Sequence, residues 1–158
     1  MKRVIFDTDI GIDDAMALLF LHAADDVRIE AITTVAGNAS ISDTTRNACY
    51  VCERFAIQAP VFRGAAGSLG TALTSGFPDF VHGANGLGDI PLASPDHPVE
   101  DLSAAQALVE LVAQNPGEIS IVAVGRLTNI AEAIRLAPEF ASQLRGLVIM
   151  GGVFMQNG

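Results

Sequence analysis

Apolar positions along the chain alternate between short continuous runs and longer stripes at helical spacing. Val4, Ile5 and Phe6 form a short apolar run ending at Asp7, which predicts a buried strand. Gly11 supplies a tight turn. From Asp13 to Ala23, the residues Ala15, Leu18, Leu19 and His22 recur at helical spacing until Asp25 and Asp26 close the segment. His22 falls on the core side of that helix or at its margin, where a lone histidine reads as structural. Val27 to Asn38 alternates and is rich in β-branched residues, predicting a second strand closed by Gly37 and Asn38. Ser42 to Ile57 predicts a second helix. Ser40 or Ser42 is its candidate cap, Ala48, Val51, Cys52 and Phe55 form its apolar stripe, and Asn47 is its polar oddity.

The remaining pattern continues the alternation. Val61 to Gly64 predicts a third short strand, Ser103 to Gln114 a helix, and Ile119 to Val124 the continuous apolar run of a central parallel strand. Leu127 to Leu136 predicts a further helix with Thr128 near its start, and Leu147 to Met150 a fifth strand before Gly151 and Gly152. Strands alternating with helices define an α/β class: one domain over 1–158, an open, mostly parallel Rossmann-like sheet flanked by helices. A right-handed crossover then brings Asn38 to the sheet edge that carries Asp7, although Gly37-Asn38 also fits an ordinary turn. Between Ala65 and Asp101, Gly, Pro, Ser and Asp dominate around VHGANGLGD. This segment reads equally as a lid and as an insertion covering a sheet edge.

Composition narrows the function classes. A formal charge of −9 argues against nucleic-acid and acidic-membrane partners, which need a clustered basic surface, and favours a small polar ligand. Cys49 and Cys52 have C-x-x-C spacing but sit inside a predicted helix without a redox context, so they read as buried packing thiols. His22, His82 and His97 show no zinc spacing. No signal peptide and no segment able to span a bilayer is visible, so a cytoplasmic protein is expected.

The chemistry concentrates in the first turn. Asp7, Asp9, Asp13 and Asp14 put four carboxylates within eight residues at one strand-to-helix junction. They raise one another's pKa values unless a cation lies between them, and the helix amino terminus offsets only part of the charge. A metal ion held by oxygen ligands is the economical explanation.

The motifs DTDIGIDDAMAL, TTVAGN, HGANGLGD, AVGRLTNIAEAI and VIMGG, in this order, resemble the inosine-uridine preferring nucleoside hydrolase family. Most members carry Pro at the position of Ile10. The resemblance implies calcium-dependent hydrolysis of the N-glycosidic bond of a small-molecule ribonucleoside. It implies Ca²⁺ on Asp9, Asp14 and the main-chain carbonyl of Val124, with Asp13 taking a proton from the attacking water. It further implies Asn38 beside the ribose and the metal, Met150 on the ribose side, His82 near the base, and Asp7 in a supporting role. Members run to about twice this length, so the chain reads as an amino-terminal half, with a further Asp, the ribose-gripping Glu and Asn and the leaving-group His beyond it. Asn157 is assigned no role.

Two alternatives accompany that reading. IFDTD also resembles the strand-borne D-x-D of haloacid-dehalogenase-like phosphatases, with Asp7 as nucleophile. That class needs a downstream Lys, and Lys2 is the only lysine. A degenerate, non-catalytic half-domain would leave a sheet edge and part of the core exposed, and self-association into a homo-oligomer is then expected.

Overall fold

Seven residues, Lys2–Thr8, form β1 at the middle of the sheet, where their apolar side chains are buried on both faces. In the computed structural model, residues 1–70, 76–152 and Met155 are described. After β1 come α1 (Ile12–Ala23), β2 (Val27–Thr34), α2 (Ile41–Arg54), β3 (Val61–Arg63), α3 (Asp79–His82) and β4 (Val99–Glu100). The chain continues through α4 (Ala104–Gln114), β5 (Ile119–Ala123), α5 (Thr128–Leu136), α6 (Phe140–Gln143) and β6 (Gly146–Ile149). The sheet order is β4-β3-β2-β1-β5-β6, with every pair parallel. The α/β class and open parallel sheet expected from the alternation are therefore present.

Alternating side chains divide the core between the two faces. Ile5, Ala31 and Phe62 point to the face covered by α4, α5 and α6, where they meet Leu108, Ile130 and Phe140. Phe6, Ile32 and Val61 point to the opposite face and pack with Leu18 of α1 and Ala48, Val51 and Cys52 of α2. Ser40 caps α2 by accepting the Asp43 N–H at 3.1 Å, which decides between the two candidate caps. Burial also raises the Cys49 thiol to about 11 and the Cys52 thiol to about 12, which keeps both unreactive as packing groups.

Three features depart from the sequence pattern. A sixth strand, β4, is only two residues long and gains its identity from pairing with β3, which no local periodicity signals. The four-residue helices α3 and α6 are too short to carry a period. His22 is exposed on the last turn of α1 rather than turned toward the core. Within the segment from Ala65 to Asp101, β4 adds a strand at the sheet edge, as the insertion reading expects, while His82 of α3 returns to the start of α1. Residues 71–75 of that segment, and all of 153–158 except Met155, including Asn157, lie outside the described residues. Among the described residues, no helix is long and apolar enough to cross a membrane.

Candidate active site at the carboxyl edge

β1 delivers Asp7 and then Asp9 to the carboxyl edge, where α1 begins and brings Asp13 and Asp14. Ligands in open parallel sheets bind at this edge, outside the strand ends. Asp7 is fully buried. Its Oδ1 accepts from Thr33 Oγ1 of β2 at 2.5 Å and from Asn129 Nδ2 of α5 at 2.8 Å, while its Oδ2 has no partner among the described residues. Burial pushes its pKa up to about 6, and the two donors hold back part of the rise.

Asp14 is also buried and reaches back over the turn. Its Oδ2 accepts the Gly11 N–H at 3.0 Å and Asn38 Nδ2 at 3.2 Å. The first bond closes the amino terminus of α1, and the second joins it to the loop after β2. Burial raises Asp14 to about 7; the Gly11 N–H opposes the rise, and the neighbouring Asp9 and Asp13 carboxylates add to it. Burial likewise raises Asp9, against main-chain N–H groups and the positive charge of Arg126. The side chains of Asp9 and Asp14 interact directly, so two carboxylates with raised proton affinity share one partly enclosed position.

Close backbone packing fixes that position. A Cβ on Gly37 would overlap the Asp9 carboxylate, and one on Gly125 would lie 2.8 Å from the Asp9 main-chain nitrogen. Only glycine lets the chain after β2 and the chain after β5 approach Asp9 this closely. Val124 follows β5, and its N–H donates to the Asp7 carbonyl at 2.9 Å, which puts Val124 at the same edge.

The expected site residues thus divide. Asp7, Asp9, Asp14, Asn38 and Val124 come together. Asp13 adjoins Asp14 at the outer side of the cluster, with 70% of its side chain exposed and its Oδ1 3.9 Å from His82 Nδ1. His82 is only 12% exposed, and the Ile12 N–H points at its Nδ1 at 3.4 Å. Met150 lies just past β6 at the same sheet edge, its N–H bonded to the Ala123 carbonyl at 2.9 Å and its side chain exposed. Sequence reasoning missed Thr33, Asn129 and Arg126. Asn129 had a usable signal: it lies beside Ile130 on the buried stripe of α5, where an amide needs a partner.

The donor set suits a hard cation. Asp9, Asp14 and a main-chain carbonyl offer oxygen only, and two adjacent buried carboxylates with raised proton affinity are what a divalent ion would neutralise. Among the described residues, no group of three His, Cys, Asp or Glu side chains is arranged to hold a metal. An ion on Asp9 and Asp14 would therefore complete its shell from main-chain, amide, water or ligand oxygens.

A parallel α/β sheet with paired buried carboxylates at its first strand-to-helix turn places this chain among α/β proteins with an acidic carboxyl edge, the edge at which open parallel sheets take their ligands. Within that class, the chain belongs to the inosine-uridine preferring nucleoside hydrolase family, whose model matches residues 4–158. It is 44% identical over 161 residues to uridine nucleosidase 1 of Arabidopsis thaliana, covering 99% of this chain and 47% of that protein. It is 36% identical over 160 residues to the inosine-uridine preferring nucleoside hydrolase of Crithidia fasciculata, covering 99% and 50%. A solved plant nucleoside hydrolase superposes with a TM-score of 0.91 at 41% identity, over 99% of this chain and 50% of that one. The chain spans about half the length of these relatives. The phosphatase alternative loses its basis as well, because an Asp7 with no exposed surface cannot attack a substrate.

Proposed function

We propose that these 158 residues form the metal- and ribose-facing part of a site that hydrolyses the N-glycosidic bond of ribonucleosides to free base and ribose. The observation that carries the reading is the Asp9–Asp14 pair, two interacting carboxylates whose burial disfavours charge unless a cation is present. Asp9, Asp14 and the carbonyl of Val124 would hold Ca²⁺, and Asn38, bonded to Asp14, would lie beside it. When bound, the ion would supply Lewis-acid polarisation of a water and of ribose hydroxyls.

The protein groups divide the remaining work. Asp13, exposed at the first turn of α1, takes the proton of the attacking water. Asp7 acts through position: Thr33 and Asn129 fix its Oδ1 and so the end of β1. The carboxylates offset the positive charge that the ribose gains as the glycosidic bond breaks. His82 faces the base and Met150 the ribose.

Hydrolysis of inosine and uridine, measured with and without EDTA, tests this reading. Loss of turnover on chelation and recovery with calcium is expected, and turnover indifferent to chelation contradicts it. A second reading, a non-catalytic half-domain that self-associates, is favoured by one observation: Leu147, Val148, Ile149 and Met150 at the β6 edge are all exposed. It expects no turnover at any calcium concentration together with a dimer or larger species in size-exclusion chromatography. A compact monomer counts against it.

A further inference from the structure

Asn47 sits in the middle of α2, wholly buried, and among the described residues forms no hydrogen bond with the acidic turn. Its Nδ2 donates instead to the main-chain carbonyl of Asn85 at 2.8 Å, across a sequence gap of 38 residues. The loop meets it there at very short range. Gly86 has φ of +82°, and a Cβ on it would lie 2.9 Å from Asn47 Nδ2 and 3.1 Å from the Ala39 side chain. Gly86 and Leu87 are buried at this contact, although most of their neighbours in the segment are exposed.

From that anchor the loop is tied back to His82. Asn85 Oδ1 accepts from the N–H groups of Leu87 at 2.8 Å and Asp89 at 3.0 Å, and Asn85 Nδ2 donates to the Ile90 carbonyl at 2.9 Å. The Gly88 N–H donates to the His82 carbonyl at 2.7 Å, and Gly86 N–H to the Gly83 carbonyl at 3.2 Å. Residues 82–90 therefore behave as one hydrogen-bonded unit. At its other end the His82 ring fills the space beside Gly11, where a Cβ would come within 2.6 Å of Nδ1. The ring lies beside Asp13, its Nδ1 3.9 Å from Asp13 Oδ1.

We propose that Asn47 is a positioning residue: its amide pins the 82–90 unit to α2 and thereby holds the His82 imidazole over the start of α1, beside Asp13. Asn47 touches no ligand and acts through Asn85 and Gly86. The consequence for nucleoside binding rests on the functional reading above, whereas the anchoring itself does not. Aspartate at this position keeps the shape, loses the donor and adds a buried carboxylate, so Gly86→Ala, which leaves the residues of α2 unchanged, separates loss of docking from the added charge.

The test compares Asn47→Asp and Gly86→Ala in the full chain, the second displacing the loop without altering α2. Amide hydrogen exchange reports the docking, and NMR of the His82 ring, with and without Asp13→Asn, reports the His82–Asp13 contact. Both variants should speed exchange at Leu87, Gly88 and Asp89 by about ten-fold, the fold-change of one net hydrogen bond, with β1 and β5 amides unchanged. In both, the His82 ring should stop responding to Asp13→Asn. Uridine affinity should fall as far as it does in His82→Ala. Unchanged loop exchange, or faster exchange spread over β1 and β5 as well, overturns the proposal. Selective loosening in a chain whose wild-type form binds no nucleoside sustains the anchor and counts against the functional reading alone.

Discussion

The two ends of the carboxyl edge are built to different standards. Around β1, β2 and α1, the inward-facing Asp7 and Asp14 each accept from two donors, with Asp7 Oδ2 left without a partner among the described residues. Asp7 is held by Thr33 and Asn129, Asp14 by Gly11 and Asn38, and Gly37 and Gly125 close directly on Asp9. Around β6, Leu147, Val148, Ile149 and Met150 stand 39–60% exposed, apolar side chains with little packed over them. The first region buries polar groups and partners many of them, leaving Asp7 Oδ2 and Thr8 Oγ1 without partners among the described residues, and the second carries apolar groups and leaves them open. The difference follows the chain's extent: the described residues enclose the β1, β2, α1 and α5 end of the edge, whereas β6 stands uncovered in a chain that spans about half the length of its relatives.

The largest expected contrast is in stability. Phe6→Ala removes a side chain with no exposed area from the middle strand and should cost about 3–5 kcal/mol in urea unfolding. Val148→Ala, 60% exposed on the edge strand, should stay within about 0.5 kcal/mol. Similar costs for the two would erase the distinction.

Next in size is the network beneath Asp7. Asn129→Ala breaks bonds to Asp7, to the Thr34 carbonyl and from the Ala65 N–H, leaving buried groups unpaired at about 1–3 kcal/mol each. It also removes a donor that favours the ionised form of Asp7, so the Asp7 pKa should rise above its value of about 6 in carboxyl NMR.

The pH dependence comes third. Asp7 and Asp14 have folded pKa values of about 6 and about 7, raised by burial from an ordinary 3.8. Between those limits the folded protein holds more protons than the unfolded chain. The metal-free protein should therefore lose stability as pH rises from about 4 to 7. Asp14→Asn should flatten the profile, and saturating calcium should oppose the loss because it favours the ionised pair. Denaturant midpoints across this range check the sign, which a profile rising with pH would reverse.

The smallest expected stability effect is Asp13→Asn, a change at an exposed carboxylate. Its unfolding midpoint should match the wild type within about 0.5 kcal/mol, while turnover falls by roughly 10²-fold or more if Asp13 takes the water proton. Asp9 offers a comparison, since burial raises its proton affinity. Unchanged turnover in Asp13→Asn would transfer the proton-accepting role to it.

Much of the scaffold was legible in the residue pattern because its elements are local. The run Val4 to Phe6, the helical stripe of α1 and the apolar ISIVAV of β5 each announce themselves within a few residues, and their alternation dictates a parallel sheet. β4 was not legible, since a two-residue strand exists only through its partner. The acidic turn was legible as a concentration of charge. Its support was not: Thr33 and Asn129 lie 26 and 122 residues from Asp7 along the chain, and each resembles an ordinary polar residue of its own element. Asn47 stood out as a polar residue on a helix that otherwise packs, yet its partner Asn85 belongs to a segment whose composition predicts only loop.

Calcium titration of the 158-residue chain by calorimetry, at a pH above 7, tests the central claim most directly. The account predicts one ion per chain and loss of the signal in the Asp9→Asn/Asp14→Asn double variant, which keeps its fold. Calcium binding that survives in that variant, or no binding by the wild type, would contradict it.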